Sequence, residues 1–120
     1  MNIKIQGDLM KVVYETNIEN KARLMKVLED DPYGQNKEKE FFGMSFSRLG
    51  YKIKEGFSID EDKNKIYLIF RGGDEYLKFL EKYLEGVAVK SDEQTTQRIL
   101  KKIEDEESSA EQGMGMVFDL

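Results

Sequence analysis

Asp60, Asp62 and Asn64 come closest, by type and spacing, to residues that could do chemistry in this chain. D-x-D-x-N opens a calcium loop, because calcium takes several oxygen ligands converging on one point. That loop also needs glycine at its sixth position and glutamate at its twelfth. Lys65 and Arg71 stand there instead, and a guanidinium at a ligand position opposes the ion. The stretch 60–64 is therefore expected to be a polar turn. Gly72-Gly73-Asp74, between a strand pattern and a helix pattern, raises phosphate binding through backbone N–H groups. Neither glycine-rich phosphate motif is complete there, and Asp74 at a helix start would repel an anion. A tight turn with Asp74 as helix N-cap is the expectation. The chain has no His and no Cys. The commonest general base, the commonest metal ligand and the thiolate nucleophile are thus all missing. No carboxylate pair stands out as an acid–base dyad. The reading leans away from an enzyme and expects no cofactor, no catalytic residue and no metal site.

Two stretches point to binding instead. Lys37, Lys39, Arg48, Lys52 and Lys54 gather in one part of the chain, interleaved with Phe41, Phe42 and Phe46. Such a mixture could face single-stranded nucleic acid, although a solvated sheet face explains it as well. The run from Lys39 to Phe46 faintly resembles the RNP1 motif of RNA-recognition domains. It departs from that motif at Phe42 and Gly43, where glycine and then an aromatic residue are needed. The second stretch is the C-terminus. Glu104, Asp105, Glu106, Glu107, Glu111 and Asp119 occur there without a single Lys or Arg. The chain's net charge of −5 therefore sits in this segment, and the remainder is close to neutral. After the acids come Met114, Met116, Val117, Phe118 and Leu120, an apolar tip on an acidic spacer. That is the design of a docking peptide: the spacer keeps the tip accessible and the tip fills a groove. Through Met114, Gly115, Phe118 and Asp119 the tip resembles the C-terminal peptide of the acidic ribosomal stalk proteins. In design it is similar to the acidic tails of single-stranded-DNA-binding proteins, whose apolar tips recruit partners. Both resemblances are confined to the tail, and no function is carried over from either.

The elements that must position these residues are legible from periodicity. Ile66, Leu68 and Phe70 alternate with Tyr67 and Ile69, so Lys65–Arg71 is expected to be a strand covered on both faces. Tyr76, Leu77, Phe79, Leu80, Tyr83 and Leu84 follow at helical spacing, and Gly86 stops that helix. Residues 2–6 and 9–15 read as a hairpin about Gly7-Asp8, or as one strand with a bulge at Gly7. Thr16 and Glu19 match a capping box for a helix over 17–30, which Pro32 ends. Residues 41–46 read as a strand, 51–54 as another, and Phe57 and Ile59 as its resumption beyond Gly56. Val87–Val89 gives a short last strand. Ser91 opens a second capping-box pattern, for a helix from about Asp92 to Glu106 with Ile99, Leu100 and Ile103 as its only apolar stripe.

Together these elements imply an α+β fold with an antiparallel or mixed sheet of about four to five strands. Two helices pack on one face, a ferredoxin-like split βαβ order leads among topologies, and the C-terminal helix is peripheral. Residues 1–103 form one domain, and 104–120 an acidic, flexible tail with an apolar tip. The absence of a long apolar run and of a signal-peptide core suggests a cytoplasmic protein that does not enter membranes. The functional expectation is a small non-catalytic adaptor or regulator working by protein–protein interaction through the tail. The alternative is single-stranded nucleic-acid binding by the 41–54 face, with the acidic tail as modulator. Exposed strand edges and the tip also allow a homo-oligomer.

Overall fold

A computed structural model of the chain describes residues 9–36 and 38–119. Four strands, β1 (Leu9–Asn17), β2 (Tyr51–Glu55), β3 (Lys65–Gly73) and β4 (Val89–Lys90), form one sheet in the order β2-β3-β1-β4. Every neighbouring pair is antiparallel. β3 lies between β1 and β2, and β1 lies between β3 and β4. Each β–helix–β unit is thereby split by a strand of the other.

The alternation in β1 and β3 divides the core in two. Met10, Val12, Tyr14, Ile66, Leu68 and Phe70 share one face with Tyr51 and Ile53 of β2. That face is covered by α1 (Lys21–Glu29), α2 (Phe46–Leu49) and α3 (Tyr76–Tyr83), through Leu24, Leu28, Phe46, Phe79 and Leu80. Tilted and edge-to-face ring contacts join Phe46 to Phe70 and Phe79, and Phe41 to Phe79 and Tyr83. On the other face Val13, Tyr67 and Ile69 meet Ile59 and α4 (Glu93–Asp119), through Ile99, Leu100 and Ile103. β3 is therefore central and buried on both sides, as its two apolar faces require.

Several local expectations are corrected. Residues 41–46 form no strand. Lys39–Phe41 is a 3₁₀ turn, and α2 begins at Phe46. Ser45, fully buried, caps α2 by accepting from the Arg48 N–H at 3.0 Å while donating to the Pro32 carbonyl at 2.6 Å. Gly56–Ile59 is a 3₁₀ turn as well, not a continued strand. A Cβ at Gly56 would lie 1.8 Å from the Asp62 carbonyl oxygen, so the turn closes only around glycine. Thr16 does not cap a helix: it pairs with Ile66 inside β1, and its hydroxyl accepts from Asn20 Nδ2 at 3.2 Å. The helix starts later, at Lys21, after a 3₁₀ turn. Gly72 and Gly73 remain in β3, and Glu75 rather than Asp74 occupies the N-cap of α3. At α4 the capping carboxylate is Asp92, which accepts from the Thr95 N–H at 2.7 Å, while Ser91 bonds elsewhere. The strand expected over 2–6 lies outside the described residues.

Candidate functional site

The interface between α4 and the sheet concentrates the chain's charge. Odd-numbered residues of β1 and β3 and even-numbered residues of β2 face α4, which follows from the pleat and the register. At the centre this surface is apolar, with Val13, Tyr67 and Ile69 almost without solvent contact. At one end it is basic. Lys11, Lys52, Lys54 and Arg71 arrive there from three strands, Lys11 and Arg71 as direct cross-strand partners. α4 meets them with carboxylates: Glu104 lies 3.8 Å from Lys11, Glu106 3.0 Å from Lys54, and Glu107 3.8 Å from Arg71. Lys52 also donates to Glu107 and, first among its neighbours, holds that carboxyl below the usual carboxylate range. A cleft of about 280 Å³ opens beside this junction, lined by Leu49, Lys52, Ile69, Arg71, Ile103 and Glu107.

The opposite end of the interface has reversed polarity. Glu61, in the turn before β3, has a largely buried side chain, 7 % exposed. Arg98 of α4 grips it with two hydrogen bonds, at 3.0 and 2.9 Å, and Lys102 adds a third at 2.6 Å. Lys102 also donates to the carbonyls of Ile59 and Asp60, at 2.9 and 3.1 Å. The Arg98 hydrogen bond, then that of Lys102, hold the Glu61 carboxyl at about 2 against an ordinary 4.5, despite its burial. Burial, with help from Glu15 and Glu61, pushes the Tyr67 phenol up.

Where α4 leaves the sheet, Ser91 is fixed. Its N–H donates to the Val13 carbonyl at 2.9 Å and its hydroxyl to Glu15 at 2.6 Å. Lys65 donates to the other oxygen of Glu15, so one carboxylate ties β1, β3 and the end of β4 together. This network anchors the point from which α4 departs.

The residues named from sequence are dispersed. Lys52 and Lys54 lie on β2, facing α4. Lys39 sits in the 3₁₀ turn and Arg48 on α2, in elements that pack on the other face of the sheet. Lys37 lies outside the described residues. The four described cations therefore form no single face, and Lys11 and Arg71, which do join Lys52 and Lys54, carry no signal in the linear sequence. Of the aromatics interleaved with them, Phe41 and Phe46 are core, and Phe42 is 68 % exposed. Met114, Met116, Val117 and Phe118 belong to the last turns of α4, and Leu120 lies outside the described residues. Asp60, Asp62 and Asn64 form a turn in which Asp62 accepts from the Asn64 N–H at 2.9 Å. Among the described residues no cluster of three or more acidic side chains could hold a metal ion. No helix among them is long and apolar enough to cross a membrane.

Compared with family models, curated proteins and solved structures, the chain has no significant match.

Proposed function

We propose that this protein is a small non-catalytic adaptor or regulator that acts by protein–protein interaction, with its C-terminal helix as the docking element. The observation that carries this reading is the double character of α4. Its first half closes over the sheet through Ile99, Leu100 and Ile103 and through the ion pairs at either end. The same helix runs on to Asp119 and bears the apolar tip residues Met114, Met116, Val117 and Phe118. A partner that engages the tip therefore pulls on the element that covers the sheet. Fully burying Ile99 and Ile103 contributes roughly 3–6 kcal/mol, each exposed ion pair no more than about 1 kcal/mol, and the buried Glu61 clamp adds to both. A partner at the tip opens α4 only by competing with that contact.

The test is an affinity capture comparing the full chain with one ending at Glu107, which removes the tip and keeps the described apolar contacts and ion pairs between α4 and the sheet. Loss of a partner on truncation, with an unchanged melting temperature, is expected. Identical partner sets would contradict the role of the tip.

A further inference from the structure

A groove opens between α1 and α3, on the face of the sheet opposite α4. It holds about 350 Å³ and is lined by Arg23, Lys26, Val27, Asp30, Phe46 and Tyr83. Its floor is apolar and preformed. Phe46 is fully buried, Val27 is half-buried, and the Tyr83 ring packs against Phe41 and Phe79. Its rim carries two cations against one carboxylate. Arg23 and Lys26 are both exposed, and neither has an ion pair or a hydrogen bond among the described residues. Most other cations near this chain's carboxylates are paired, so these two stand out.

An apolar floor under unpaired cations suits an apolar segment flanked by carboxylates. This chain contains one. Met114, Val117 and Phe118 stand at the i, i+3, i+4 spacing of an apolar helical stripe, between Glu111 and Asp119, and no Lys or Arg follows Glu104. A chain cannot bring its own tip to its own groove while α4 stays on the sheet. α4 lies on the other face, and beyond the ion pairs of Glu107 the same helix runs on to Asp119, about 18 Å further. We infer that the groove between α1 and α3 receives the tip of a second copy of this chain, and that reciprocal exchange of the two tips closes a dimer. This inference rests on the reading of the tip as the docking element and names its receptor. The contact is small and charge-assisted, so pairing depends on protein concentration and weakens as salt rises.

The test is a charge swap on the full chain, read as mass by light scattering over a concentration series. One variant carries Arg23→Glu and Lys26→Glu, which reverse the groove and, being exposed, spare the core. The other carries Glu111→Lys and Asp119→Lys, which reverse the tip. Wild type is expected to move from a one-chain to a two-chain mass as concentration rises. Each variant alone sets like charges against each other in both contacts and is expected to stay at one chain. In an equal mixture both contacts are again complementary, so mixed pairs should form at least about tenfold more tightly than either variant pairs with itself. Phe118→Asp, with an unaltered groove, is expected to stay at one chain. A mixture that fails to pair, or a Phe118→Asp chain that pairs as wild type does, would overturn the inference. So would a one-chain mass for wild type throughout the series. If truncation at Glu107 still removes a different protein from an affinity capture in that last case, the docking role of the tip stands and only its receptor is wrong.

Discussion

Glu61 is the residue on which the C-terminal helix turns. Its carboxyl is drawn to about 2 from 4.5 by Arg98 and Lys102, so the folded state binds its proton more weakly than the unfolded chain does. Stability from this node is complete above about 4.5 and is lost as pH falls from there toward 2. With Arg98 and Lys102 partly in water, the loss is on the order of 2 kcal/mol. Melting temperatures recorded from pH 6 to pH 2 should fall more steeply for wild type than for Glu61→Gln, which starts lower and stays flatter. Gly56 makes a second prediction at this scale. Gly56→Ala drives a Cβ into the Asp62 carbonyl and should cost roughly 1–3 kcal/mol in urea unfolding, although alanine is ordinarily harmless in a turn. Neither residue was conspicuous in the sequence. Glu61 lies 37 and 41 positions from Arg98 and Lys102, and no local pattern links residues so far apart. Gly56 reads as punctuation in a strand because Phe57 and Ile59 are spaced two apart, yet the 3₁₀ turn it starts buries Ile59 and leaves Phe57 in solvent.

At the scale of elements, β3 and α3 were the most legible. A run apolar on both faces has only one environment that suits it, the centre of a covered sheet. Residues 39–49 misled because Phe42, Met44 and Phe46 alternate as a strand would, yet Phe42 faces solvent and Phe46 starts a capped helical turn. The sequence suggests a peripheral α4 ending near Glu106. Its apolar stripe is legible there, but only the register of β1 and β3 shows that Val13, Tyr67 and Ile69 lie beneath it. Its helix also continues to Asp119. Two consequences are testable. Ile103→Ala removes a fully buried side chain of α4 and should lower stability by about 2–4 kcal/mol. The loss should be concentrated in the opening of α4, with the amides of β3 affected least. Raising salt to 1 M screens the exposed pairs of Glu104, Glu106 and Glu107 and should likewise speed exchange in residues 100–107 before it affects β3.

The whole molecule is a sheet with unequal covers. One side carries three helices and a cluster of aromatic rings; the other carries a single helix on a narrow stripe with charges at both ends. Removing the lighter cover would expose a contiguous apolar surface around Tyr67, which soluble proteins keep only where something binds. The central claim, that α4 opens as a unit while the rest stays folded, is tested most directly by native-state hydrogen exchange on the full chain across low denaturant concentrations. The account predicts that amides of residues 96–107 exchange through an opening with lower free energy and a smaller denaturant dependence than those of Ile66–Phe70. Identical free energies and identical denaturant slopes for the two sets would show that α4 leaves only when the whole protein unfolds, and would contradict it.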